Sequence, residues 1–241
     1  MAPFYCAREH HAHFVVSSMQ EYSGEKIMIK RLLLSVSLMV FGLSCTAAED
    51  GTNTYEEGTH YALISPPVRT LDGDTIEVAE FFWYGCSHCY SFEPVIRQWE
   101  KTMPEDVSFR GIPAVWRANM QLHARAYFTA EVLGVLDTMN PVIFQAMNVD
   151  RKPLASEGDI AKLFVANGVS EEDFSKTFGS FGVTSQVNQA ISTGKGAKLT
   201  GTPALMVDGK YLITGRMAGG QADMLKVADF LVEKERAAKG S

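Results

Sequence analysis

The segment Ile76 to Cys89 constrains this chain more than any other. Ile76–Trp83 (IEVAEFFW) is a β-branched and aromatic run of buried-strand type. Cys86-Ser87-His88-Cys89 follows at once, and Phe92, Val95, Ile96 and Trp99 then recur at helical spacing to about Met103. Pro94 is expected to kink that helix. Val107–Val115 reads as the next strand, so strand, helix and strand form a crossover unit with a parallel pairing. Two cysteines therefore stand at the head of a crossover helix.

The rest of the chain builds on that unit. Tyr61–Ile64 reads as a short strand before Pro66-Pro67. From Met120 to Phe178 the pattern is helical, with Leu122, Ala126, Ala130 and Leu133 along one face. Ser156-x-x-Asp159 and Ser170-x-x-Asp173 mark helix starts by analogy with the capping box, Asp standing where Glu is usual. Val183–Gly194 is another helix. Ala204–Val207 and Tyr211–Thr214 flank Asp208-Gly209, a hairpin signal. A last helix runs from about Gln221 to Ala237. The order predicts an α/β domain, residues 49–118 and 181–241, interrupted by a helical insertion at 119–180. Its 46% hydrophobic and 21% charged residues suit a globular domain, and a net charge of −6 provides no basic footprint for nucleic acid.

The start of the chain reads as an address. Lys30 and Arg31 precede a twelve-residue apolar run, Leu32–Leu43, and Thr46, Ala47 and Ala48 supply small residues for cleavage after Ala48. Twelve residues rise about 18 Å as a helix, short of a bilayer core of about 30 Å. Residues 28–48 are thus expected to be an export signal, translation to begin at Met28, and residues 1–27, with His10, His11 and His13, to be an upstream extension. Cys45 raises lipidation as an alternative, against which Gly42 stands where lipoprotein signals usually carry Leu. The expected destination is the periplasm.

Cleavage after Ala48 leaves Cys86 and Cys89 as the cysteines of the mature chain. As a staple the pair is weak, since so small a ring yields roughly 3 kcal/mol less than a 100-residue loop. Half a zinc site and an inert disulfide are the competing readings. Cys-x-x-Cys opening a helix after a strand is the thioredoxin-like redox arrangement. There the free N–H groups and the helix dipole favour a thiolate at Cys86. His88 can donate to that thiolate or place charge beside it, and such settings lower a cysteine pKa to between about 3.5 and 7.5. Cys89, a turn further in, is the expected buried resolving thiol. Glu80, an acid inside an apolar strand, is either a buried acceptor for the Cys89 proton or a residue on a sheet edge reaching water. Pro203, opening a strand, stands where a cis proline could sit without removing a ladder hydrogen bond, though a trans strand-edge proline would fit too.

Glu80-Phe81-Phe82-Trp83-Tyr84-Gly85-Cys86-Ser87-His88-Cys89-Tyr90-Ser91-Phe92-Glu93 closely resembles the active-site stretch of the DsbA family of periplasmic thiol:disulfide oxidases. Gly201-Thr202-Pro203-Ala204 with Val207-Asp208-Gly209-Lys210-Tyr211 is similar to that family's cis-proline loop and hairpin. The likeness runs from about Tyr55 to Val232. It implies a thioredoxin-like fold with an inserted helical domain and an apolar groove for unfolded substrates. It implies Cys86 as nucleophile of a redox-active Cys86–Cys89 disulfide, Pro203 in cis facing the pair, and Thr202 pairing its backbone with an extended substrate. No cofactor or metal is implied. The implied partners are folding exported proteins with free thiols and a DsbB-like, quinone-linked inner-membrane reoxidase, the chain acting as a monomer. Ser87 stands where the family often has Pro. Thr202 stands where it often has Val, as in disulfide isomerases, and both are expected to tune the redox potential. Alternatives are a reductase or isomerase, and a metal-binding or chaperone module without enzymatic activity.

Overall fold

The structure, a computed structural model, describes residues 54–240. The expected leader, the upstream extension and Cys45 lie outside them. Five strands, β1 (Ala62–Leu63), β2 (Ile76–Phe82), β3 (Val107–Pro113), β4 (Ala204–Val207) and β5 (Tyr211–Thr214), form one mixed sheet in the order β1-β5-β4-β2-β3. β2 pairs in parallel with β3 and antiparallel with β4. It is buried along its whole length, Glu77 and Glu80 included, which is why its apolar residues fall on both faces and show no alternation.

Helix α1 (Ser87–Glu100) makes the crossover from β2 to β3, running unbroken through Pro94. It buries Cys89, Phe92 and Ile96, spaced as one helical face. Five helices then separate β3 from β4: α2 (Ala118–Val132), α3 (Leu136–Asn148), α4 (Glu157–Val165), α5 (Glu171–Phe178) and α6 (Phe181–Gly196). After β5 come the single turn α7 (Gly215–Ala218) and α8 (Gln221–Lys239). One core packs Val78, Leu205 and Ile213 of the sheet against Phe92 and Ile96 of α1 and Ala228 and Leu231 of α8. The other packs Phe81 and Met206 against α2, α3 and α6, through Tyr127, Phe144 and Val187.

The sequence expectation for α2 needs correcting. Its apolar stripe is not one face: His123, Ala124 and all residues from 126 to 130 are buried, because α3, α5, α6 and β3 surround the helix. β3 also ends earlier than expected, at Pro113, and α1 stops at Glu100. The two serine caps form, with a different second bond. Ser156 and Ser170 accept from the N–H of Asp159 and Asp173, while their hydroxyls donate to those aspartates' own carboxylates at 2.8 and 2.7 Å. The shorter Asp side chain meets the capping hydroxyl, where Glu in a capping box would reach back to the N-cap backbone.

The hairpin turns through Asp208 (φ +48°) and Gly209 (φ +64°), with Lys210 N–H donating to the Val207 carbonyl at 2.9 Å. Both central residues are left-handed, as a type I′ turn demands. A Cβ on Gly209 would lie 1.9 Å from the Val68 carbonyl oxygen, so the close approach of the 68 segment requires glycine here.

Candidate active site

Cys86 is the N-cap of α1, in extended backbone conformation (φ −95°, ψ 112°). Its sulfur accepts the Cys89 N–H at 3.3 Å and, as a thiol, donates to the Thr202 carbonyl at 3.5 Å. Cys86 is half-buried and Cys89 fully enclosed, and both sulfurs are free thiols. The environment splits the pair. The hydrogen bond from the Cys89 thiol does most to pull the Cys86 pKa down to about 5; burial opposes it, and Thr202 and the backbone N–H groups of Cys89 and His88 add to the lowering. Cys89 moves the other way, pushed up first by burial and then by its hydrogen bond to Cys86. The His88 ring is exposed; what His88 directs at the sulfur is its backbone N–H.

Glu80 lies in the middle of β2 with strands on both sides, so the edge-strand alternative falls. It is 4% exposed, and its Oε1 has no hydrogen-bond partner. Burial, with the charge of Glu93, holds its carboxyl well above the ordinary carboxylate range. It lines a polar cavity of about 210 Å³ together with Glu93, Arg97, Tyr127 and Asn140. Arg110 is not its partner. That guanidinium turns to Glu77, at 2.9 Å from Oε2 and 3.0 Å from Oε1, while Gly111 is the residue in register with Glu80.

Two connections around the site carry no local sequence signal. Tyr84 Oη donates to Asn140 Oδ1 at 2.7 Å, Asn140 Nδ2 donates to Glu93 at 2.6 Å, and Glu93 holds Arg97 at 2.9 Å. This chain ties α3 to the cysteine helix. On the other side, Trp83 Nε1 donates to His123 Nδ1 at 3.0 Å. The remaining ring nitrogen of the buried His123 is therefore the donor, shared between the Pro153 and Leu154 carbonyls at 3.2 Å each. Burial holds the His123 pKa below its ordinary value. The Arg117 guanidinium lies over the Trp83 ring at 5.9 Å. A Cβ on Gly85 would lie 2.4 Å from that ring, so glycine lets the indole pack beneath the residue before Cys86.

The Thr202–Pro203 peptide is cis, and so is Ser65–Pro66, which no neighbouring motif marks. Pro203 and Thr202 line a groove of about 440 Å³ with His88, Arg216 and Gln221. Gln221 Nε2 donates to the His88 carbonyl at 2.6 Å, joining α8 to the first turn of α1. Threonine hydroxyls, the Gln221 amide and the Arg216 guanidinium line this groove beside the proline and three glycines. Among the described residues no three His, Cys, Asp or Glu side chains converge as a metal-ligating group, and no helix is long and apolar enough to cross a membrane.

A mixed sheet with a dithiol capping its crossover helix, a cis proline at that dithiol and a mostly helical insert define a thioredoxin-fold redox protein. A family model described as a DSBA-like thioredoxin domain matches residues 101–232. The thiol:disulfide interchange protein DsbA of Pseudomonas aeruginosa is 36% identical over 210 residues, covering 87% of this chain and 99% of that protein. The protein of the same description from Azotobacter vinelandii is 36% identical over 214 residues, with 89% and 99% covered. The crystal structure of P. aeruginosa DsbA superposes with a TM-score of 0.75 at 37% identity, over 78% of this chain and 97% of that one. The oxidoreductase DsbA of Xylella fastidiosa gives 0.71 at 29%, over 76% and 98%. The chain belongs to the DsbA family.

Proposed function

We propose that this disulfide oxidoreductase donates a Cys86–Cys89 disulfide to exported proteins as they fold in the periplasm. A substrate thiolate attacks the Cys86 sulfur, the bond to Cys89 breaks, and a mixed disulfide forms on Cys86. A second substrate thiolate attacks the substrate sulfur of that mixed disulfide and displaces Cys86 as a thiolate. The substrate dithiol loses two electrons and the enzyme disulfide gains them. Cys89 leaves as a thiolate in a buried place that favours the thiol, and Glu80, lining the polar cavity with its Oε1 unpartnered, supplies it a proton through water and is later reprotonated from solvent. Thr202 and Pro203 hold the substrate backbone, and the His88 ring lines the groove that receives it. A DsbB-like quinone-linked membrane partner takes the electrons away.

The observation that carries this reading is the inequality of the two sulfurs. A thiolate favoured at about pH 5 on the accessible cysteine makes Cys86 a good leaving group and stabilises the reduced pair, which is what a disulfide donor needs. The reductase or isomerase reading, suggested by Thr202, and the metal-binding or chaperone reading are not favoured by the family assignment. Equilibrating residues 49–241 with glutathione buffers tests the direction of transfer. A pair that glutathione readily reduces supports donation, and a reducing, thioredoxin-like pair would overturn it.

The same reading places a cleaved leader at residues 28–48, an upstream extension at 1–27, and the helical insertion at 119–180 within a domain of 49–118 and 181–241. N-terminal sequencing of the exported protein should begin at Glu49.

A further inference from the structure

The groove beside the nucleophile carries a charge that the fold does not use. Arg216, in the single turn α7, is exposed and lines the same groove as Thr202, whose carbonyl is 3.5 Å from the Cys86 sulfur. Its guanidinium makes no hydrogen bond, ion pair or ring contact among the described residues. Asp223, near Gly219 and Gly220 at the edge of the groove, is already paired with Lys226 at 2.7 Å. No carboxylate lines the groove; Arg216 and the His88 ring are its ionisable side chains, and hydroxyls of Thr200, Thr202 and Thr214 supply neutral hydrogen-bonding groups. In a chain whose net charge is −6, this is a local positive field facing the place where substrate must lie.

We infer that Arg216 selects, among extended cysteine-bearing segments, those carrying a carboxylate a few residues from the cysteine, on the stretch that lies along the groove Arg216 shares with Thr202. The occupant is thus an acidic peptide segment, and the inference rests on the substrate-binding reading of the groove given above. The guanidinium fork matches a carboxylate in plane, and the threonine hydroxyls suit the peptide backbone on either side. Exposed ion pairs of this kind are worth up to about 1 kcal/mol, so the discrimination expected is about threefold to fivefold and weakens with salt.

The test uses reduced two-cysteine peptides that differ only in Glu, Gln or Lys near the first cysteine. Each is oxidised by the disulfide form of the protein, and kcat/KM is taken as a Glu-to-Lys ratio within each enzyme, so that a general loss of activity cancels. The wild type should prefer Glu, Arg216→Ala should bring the ratio close to one, and Arg216→Glu should invert it. A wild-type ratio of one, or a preference that survives in Arg216→Glu, would overturn the inference. Oxidation of the Gln peptide by the wild type reports separately on disulfide donation: if it fails, the functional reading fails and not merely the selectivity.

Discussion

The backbone N–H of Cys89 points at the sulfur of Cys86 from 3.3 Å, so each cysteine helps to set the other's state. The first turn of α1 offers this N–H to an anion, while the Cys89 side chain lies in the core, out of reach of water. Reduced protein should therefore titrate with one thiolate appearing near pH 5 and the second sulfur remaining a thiol. Ultraviolet thiolate absorbance reads this directly, and Cys86→Ser should remove the step along with disulfide transfer. A step that persists in Cys86→Ser would assign the low value to the wrong sulfur.

The same inequality makes the reduced protein's stability depend on pH. The folded Cys86 value lies below the unfolded one, so between the two the unfolded chain binds more protons and stability rises with pH. The contribution is present above about 8.5, the ordinary thiol value, and disappears as pH falls through about 5. Urea midpoints of reduced wild type against Cys86→Ser should converge toward the acid end of that window. Parallel curves across it would contradict the assignment.

Glu80 works in the opposite sense. Its folded value is raised, so its contribution is full below about pH 4.3 and is lost as pH climbs through the raised folded value. Replacing Glu80 with Gln should stabilise the protein by about 1–3 kcal/mol at pH 7, or about 2–4 °C in Tm for each kcal/mol, with little difference at pH 4. Disulfide transfer by the variant should slow, because the group that supplies a proton to the departing Cys89 thiolate is gone. An unchanged Tm at pH 7 would mean that the carboxyl is better solvated than its burial implies.

Replacing His123 with Ala leaves the Trp83 indole N–H and two loop carbonyls without their partner, at a cost of about 1–3 kcal/mol. Because burial lowers the His123 value, its contribution is present above about pH 6.5 and is lost as pH falls through the lowered value. The wild-type advantage over His123→Ala should shrink on acidification. Chemical denaturation at pH 7.5 and pH 5 measures both arms.

Gly85→Ala puts a methyl carbon 2.4 Å from the Trp83 ring. The indole must swing away, which costs about 1–3 kcal/mol and loosens the floor under Cys86. Both the denaturation midpoint and the rate of peptide oxidation should fall. A variant with full rate and stability would show that the ring relocates freely.

What could be read from the sequence was what the chain encodes locally. β2 shows itself as an apolar run, the cysteine pair by its place between strand and helix, and the hairpin by Asp208-Gly209. Pro203 could be expected in cis only because the cysteine motif was already in view. The parts that escaped are those whose cause is a distant neighbour. Nothing near Ala124 says that four elements enclose α2 on all sides. Arg110 is one residue from the register partner of Glu80, yet it turns to Glu77. His123 meets Trp83 from 40 residues away, and a buried histidine in a helix gives no sign in sequence of which indole it will serve. Tyr84, Asn140 and Glu93 come from three elements and form one hydrogen-bonded chain only when α3 settles against α1.

Cys86 and the Thr202 carbonyl that faces it are 116 residues apart in the chain. A chain that emerges N-terminus first displays its cysteines long before residues 200–203 exist to meet them. During that interval the motif lacks its opposing loop, and Cys86 behaves as a more ordinary thiol. The Thr202 share of the thiolate's stabilisation is acquired only with the last third of the polypeptide, as a property of the finished molecule. The converse also holds: an opening that frees the proline loop removes the Thr202 contribution while the Cys89 hydrogen bond and the first-turn N–H groups stay with the sulfur.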